Sequence, residues 1–159
     1  MTMRTLGATT LGVAAAAAAG SIASRTHTSA WYTRLTKPAY VPPSGVFPIA
    51  WTSLYADIAG TSAVVIDRLR TAGQPRKARR YISALVVNLL LNAGWSWLFF
   101  RYRRLGLSAV GAAALALSSA DLTKRTAEAE PRAGLVLLPY PLWCAFATVM
   151  SAHTWRLNR

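Results

Sequence analysis

The 159-residue chain holds a single cysteine, Cys144, and only five acidic residues against eighteen lysines and arginines. One cysteine excludes an intrachain disulfide and a cysteine-rich metal site. Cys144 lies inside an apolar run and reads as a small buried hydrophobe. The two histidines, His27 and His153, are far apart and lack ligand-like spacing, so both are assigned surface or structural roles. No glycine-rich phosphate loop, Ser–His–acid set or metal signature is present. There is no internal repeat, and the only low-complexity segment is the alanine run of "GVAAAAAAG". Spacing alone therefore names no enzyme. Charge of either kind is scarce too, at 14% of residues, whereas 53% are hydrophobic.

What charge there is sums to a formal +13. A basic excess of this size can serve nucleic acid, anionic lipid or acidic ligands. Here it falls between long apolar runs, at 68–80, 101–104, 124–132 and 156–159. That placement suits basic residues at the headgroups of a bilayer and argues against a nucleic-acid partner.

A helix crosses lipid with roughly 20 mostly apolar residues, at ~1.5 Å each against a core of ~30 Å. Five stretches approach that length: about 6–24, 45–66, 81–100, 105–122 and 133–155. The chain is accordingly read as one all-α membrane domain over 1–159, a bundle of five transmembrane helices. The first span competes with a secretory signal peptide, because Arg4 precedes the alanines and small residues follow near Ser21–Ala23. Its length favours a retained helix. Gly73 and Pro75, set between basic clusters in 67–80, predict a surface turn. The 101–104 link "RYRR" is so short that spans three and four must be antiparallel neighbours. Ten basic residues fall on one side of the predicted topology and eight on the other, too even a split for the positive-inside rule to fix orientation.

Polar and aromatic residues align on particular faces. Asn88, Asn92 and Trp95 fall at i, i+4 and i+7 on one face of the third span. An amide in hydrocarbon is costly unless bonded, so this face points into the bundle or a cavity. Asn88 suits a helix–helix hydrogen bond as well as a site, and Asn92, one turn from Trp95, is read as a cavity wall. Trp51 and Tyr55 stand one turn apart in the second span, and Tyr140, Trp143 and Ala147 share a face in the fifth. Aromatics on three helices could line a pocket for a flat apolar ligand, with a few polar tips to orient it. Trp31 and Trp155 read instead as interfacial anchors. Asp57 falls near mid-span, where a carboxylate costs roughly 2.5–3.5 kcal/mol on insertion scales. It is a functional acid, a protonated one, or one paired with another helix; the sequence displays no partner. The stretch "KPAYVPPSGVFPIAW" (37–51) sets four prolines among aromatics just ahead of the second span, enough to hold an extended shape without a hydrogen-bond ladder.

Three blocks, "WYTRLTKPAYVPPSGVFPIAWTSLY" (31–55), "LNAGWSWLFF" (91–100) and "LPYPLWCAFATVM" (138–150), resemble the TspO/MBR family of bacterial tryptophan-rich sensory proteins and mitochondrial translocator proteins. The resemblance implies a five-helix membrane bundle, a homodimer, and a pocket covered by the first loop, here 25–44, as a lid. It also favours a retained first helix. The ligands it implies are tetrapyrroles, protoporphyrin IX or haem, with no required cofactor, and hydrophobic drug-like molecules as further ligands. Carried over by motif, the ligand-binding residues are Tyr32, Pro42, Trp51, Tyr55, Asn92, Trp95, Trp143 and Ala147. The function implied is a membrane receptor or sensor in porphyrin homeostasis or stress signalling. Two alternatives stand beside it: a light-dependent protoporphyrin-degrading enzyme using Trp51 and Trp143, and a porphyrin or sterol transporter. The implied location is multi-pass in a membrane, the bacterial cell envelope ahead of the mitochondrial outer membrane. Departures from the family pattern are Asn88 in place of glutamine, Asp57, and Ser151-Ala152 where relatives carry Asn-Tyr, which weakens any case for cholesterol recognition.

Overall fold

The computed structural model describes residues 1–24 and 30–159. His27 and the 25–29 part of the expected lid lie outside the described residues. Among those described, the elements are all helical: α1 (Met3–Ser24), α2 (Ala30–Arg34), α3 (Val46–Thr71), α4 (Pro75–Ser96) running into a π-helical turn (Trp97–Arg101), α5 (Leu105–Ala129), α6 (Pro131–Leu137) and α7 (Pro139–Leu157). Among the described residues, five spans are long and apolar enough to cross a bilayer: Met3–Ser24, Val46–Thr71, Pro75–Arg101, Leu105–Ala129 and Pro131–Leu157. The chain is a multi-pass integral membrane protein.

Each span outruns the apolar stretch that announces it. Helix α3 continues through Asp67 and Arg70, and α4 begins at Pro75, so the basic 67–80 stretch, expected as a turn, is mostly helix. Nothing in "DRLRT" breaks a helix, and Arg68 and Arg70 suit the negative end of the helix dipole. The chain reverses only at 72–74, where Gly73 takes φ +67°, a conformation that favours glycine. Pro75 then opens α4 at a position whose N–H has no helical partner to lose. At the other end of α4, Tyr102 N–H donates to the Trp97 carbonyl (2.9 Å), and Arg103 turns the chain with φ +56°. The tight link expected of "RYRR" does make α4 and α5 packed neighbours.

The last span is broken at Leu138. Pro139 cannot donate to the helix, Leu138 N–H reaches the Leu135 carbonyl at 3.3 Å, and α7 restarts with Pro139 in its first turn. The short α6 lies so close to α5 that a Cβ on Gly134 would stand 2.4 Å from the Ala127 Cβ. Helix α1 is packed into the bundle against α3 and α4, burying Thr9, Val13 and Ala23. Thr9 Oγ1 donates to the Ala59 carbonyl (3.0 Å), and Trp97 Nε1 donates to the Ala19 carbonyl (3.0 Å). Ile58, Val65, Leu122, Leu137, Tyr140 and Cys144 have no exposure and form the centre of the core.

Candidate functional site

At the end of the bundle where α1 stops and α3 starts, a cavity of about 340 Å³ opens between α1, α3, α4 and the 30–45 segment. Its walls carry Trp51 and Tyr55 from α3, Trp95 from α4, Phe99 and Phe100 from the π turn, and Tyr32, Lys37 and Phe47 nearer the segment. The π turn explains how two consecutive phenylalanines both reach it. Widening the helix brings Phe99 and Phe100 to 5.9 and 6.2 Å from the Trp95 ring centroid. Single π turns of this kind recur at functional sites.

On α3 the one-turn spacing stacks Trp51 on Tyr55 (centroids 5.5 Å, 29° between planes). Trp95 faces Trp51 at 6.4 Å. Below them, a hydrogen-bonded layer closes the cavity's floor. Tyr55 donates to Asn92 Oδ1 (2.8 Å), Asn92 Nδ2 donates to Tyr140 Oη (3.4 Å), Tyr140 donates to Asn88 Oδ1 (2.8 Å), and Asn88 Nδ2 donates to Ser118 Oγ (3.2 Å). Both amides are thereby satisfied in a buried position, as burial requires. Trp95 Nε1, in contrast, is buried with no hydrogen-bond partner among the described residues.

Of the eight ligand-binding residues carried over by motif, Tyr32, Trp51, Tyr55 and Trp95 line the cavity. Asn92 sits one layer behind Tyr55 and orients its hydroxyl. Trp143 stands half-buried and edge-on to Trp51 at 6.5 Å, also touching Phe47 and Phe146. Ala147 is buried on α7, and Pro42 is half-buried in the 30–45 segment. The motifs did not single out Lys37, Phe99 or Phe100. The "WSWLFF" run contained a signal for the phenylalanines, but only the π turn reveals that both face one space. Lys37 Nζ lies 4.4 Å above the Tyr32 ring, and burial pushes the Tyr32 phenol above its ordinary pKa.

The proline-set segment is not the extended rod its composition suggests. It is folded by two turns, Val41 N–H to the Pro38 carbonyl (3.1 Å) and Val46 N–H to the Pro43 carbonyl (2.9 Å). Its position is fixed from α7. Asn158 accepts from Thr36 N–H (3.0 Å) and donates back to the Thr36 carbonyl (2.8 Å), while Tyr40 Oη lies 3.2 Å from His153 Nδ1. Helix α2 rests on the π turn, with Tyr32 5.8 Å from Phe100 and Trp31, read as an interfacial anchor, 6.3 Å from Phe99. Asp57 is half-buried; the contact recorded there is Thr61 Oγ1 donating to its backbone carbonyl (2.6 Å), and its carboxylate pairs with none of the described residues.

Comparison with known proteins agrees with this arrangement along nearly the whole chain. The TspO/MBR family model matches residues 8–156. Protein CrtK of Rhodobacter capsulatus is 31% identical over 144 residues, 91% of this chain and 88% of that protein. The tryptophan-rich sensory protein of Cereibacter sphaeroides is 30% identical over 128 residues (80% of this chain, 77% of that one), and the human translocator protein is 31% identical over 128 residues (80% and 75%). With five spans, the aromatic cavity and a family match running from α1 to the last turns of α7, the chain belongs to the TspO/MBR family.

Proposed function

We propose that the protein is a membrane receptor or sensor that holds a tetrapyrrole, protoporphyrin IX or haem, in the aromatic cavity, with the 30–45 segment as its lid. The observation that carries this reading is the combination of flat apolar walls with unspent polar groups. Trp51, Tyr55, Trp95, Phe99 and Phe100 offer ring faces and edges to a flat macrocycle. The unpartnered Trp95 N–H and the Lys37 ammonium offer a donor and a cation for its carboxylates. The names of the relatives, a sensory protein and a translocator protein, point the same way. At about 340 Å³ the cavity is near the small end of the range for ligand sites, so a four-ring macrocycle enters by moving the lid outward. A homodimer is part of the same family reading.

Titration of the detergent-purified protein with protoporphyrin IX in the dark, followed by tryptophan quenching, tests this. Saturable quenching that weakens in Lys37→Gln and Trp95→Phe is expected. Quenching that never saturates and is the same in each variant means that the porphyrin partitions into the micelle, and the reading fails.

A second reading, light-driven porphyrin degradation, is favoured by one feature. Trp143, Trp51 and Trp95 form a row with centroid spacings of 6.5 and 6.4 Å, close enough to share an electron hole left by an excited ligand. Trp51→Phe with Trp143→Phe would then keep dark binding and lose the illumination-dependent decay of the porphyrin spectrum. Equal decay in variant and wild type would rule this reading out.

A further inference from the structure

At the opposite end of the bundle, an open groove of about 640 Å³ runs between α4 and α5. Its α4 wall is a stripe one turn apart at each step, Arg79, Ser83 and Val87, with Arg80 and Ala84 beside it; its α5 wall is Ser118, Asp121 and Arg125. We propose that this groove is a binding site for an anionic glycerophospholipid, its phosphate held by Arg79 and Arg80 and an acyl chain laid along the exposed apolar surface below.

Charge makes the first part of the case. Three guanidinium groups face one carboxylate in the groove. That carboxylate, Asp121, is already taken by Arg125 Nε at 2.7 Å. Arg79 and Arg80 are exposed and have no carboxylate within ion-pair distance among the described residues. Their charge is left for a ligand, and arginine presents its donors in a fork that matches a phosphate.

Depth makes the second. Arg79 and Arg80 lie four and five residues into a span of 27, and Arg125 lies four residues from the end of α5, so all three sit about 6–8 Å inside their helix ends. With each span centred on a core of ~30 Å, that puts their backbones at the edge of the hydrocarbon, from which an arginine side chain reaches the headgroups. From there the surface turns apolar. Val86, Val87 and Leu90 of α4 and Leu117 of α5 are all exposed, as a surface in contact with acyl chains would be.

Hydroxyl geometry makes the third. Ser118 Oγ accepts from Asn88 Nδ2 on its inner side (3.2 Å), and Asn88 is itself fixed by Tyr140. The Ser118 O–H is therefore free to donate into the groove, towards a phosphate or ester oxygen, with Ser83 facing it from α4.

The test uses the full chain in an uncharged detergent, with bound lipid counted by native mass spectrometry and melting followed in parallel. Dioleoyl phosphatidylglycerol should bind saturably and raise the melting temperature, and phosphatidylcholine at the same concentrations should do neither. Arg79→Gln with Arg80→Gln should weaken phosphatidylglycerol roughly tenfold or more. Arg156→Gln with Arg159→Gln, at the other end of α7, should leave it unchanged. Val87→Asn should weaken the lipid while sparing the fold, because the side chain is exposed. Glycerol 3-phosphate separates the two sources of the headgroup: it should bind far more weakly than the lipid. Equal binding of glycerol 3-phosphate and lipid would overturn the proposal in favour of a soluble-anion site. Equal phosphatidylglycerol binding by wild type and the Arg79/Arg80 variant would overturn it outright.

Discussion

The two ends of the bundle fill their interiors differently. At the end bearing Gly73 and Glu130, side chains bond to one another. Asp67 accepts from the Thr2 N–H and from the Thr5 hydroxyl, Tyr81 bridges Ser62 and Thr126, and Arg68 is paired with Glu130. At the lid end the helices are held apart by rings, a cavity is left, and a buried indole N–H has no partner. The Tyr55–Asn92–Tyr140–Asn88–Ser118 chain divides the two. The contrast separates a packed interior from an open one: at the Gly73 end the unpaired charge of Arg79 and Arg80 lies on the outer surface, and at the lid end an unbonded indole lines a cavity.

The largest effect that would break this division comes from the packed end. Gly134→Val places carbon within van der Waals radii of Ala127, and helix α6 can retreat only by opening the core around Leu137. A loss of about 2–3 kcal/mol is expected, read as a lowered unfolding midpoint in detergent. Tyr140→Phe comes next. It removes the donor to Asn88 and the acceptor for Asn92 and should cost about 1–2 kcal/mol in the same assay, with ligand affinity also reduced because Tyr55 loses its fixed partner. Trp95→Phe sharpens the comparison from the other side: no hydrogen bond is lost, the reduced ring contact with Phe99 and Phe100 should cost about 1 kcal/mol, and porphyrin affinity should fall several-fold. The smallest effect belongs to Glu130→Gln, which leaves Arg68 largely exposed; the expected change is ~0–1 kcal/mol and should vanish in high salt.

Fold class and span number were legible because lipid imposes length and apolarity on every crossing. Span ends were less so. Apolar runs mark where hydrocarbon begins, but α3 and α5 continue into "DRLR" and "TKRTAEA" until Gly73 and Pro131 stop them, since charged residues with good helix propensity do not. The "LPYP" string held the break at Leu138 in its two prolines. The π turn left no such mark, because Trp97–Arg101 contains neither proline nor glycine; it packs against α1, α2 and α5, contacts no local pattern announces. At the site, one-turn spacing was enough to pair Trp51 with Tyr55 and to put Asn88, Asn92 and Trp95 on one inward face. It could not reveal that Asn92 is spent on Tyr55 and Tyr140 while Trp95 is unpaired. Nor could it place Lys37, whose position depends on turns at 38–41 and 43–46 and on the clamp that Asn158 sets on Thr36, 122 residues before it.

That clamp offers the most direct test of the central claim, that ligand enters beneath the 30–45 segment. Thr36→Cys with Asn158→Cys replaces the paired hydrogen bonds by a reversible covalent lock, and the one native thiol, Cys144, is buried away from it. The variant is oxidised, titrated with protoporphyrin IX in the dark, then reduced and titrated again. The account predicts little or no saturable binding when locked and wild-type binding after reduction. Equal affinity and equal rates in both states would contradict it, placing the ligand outside the cavity.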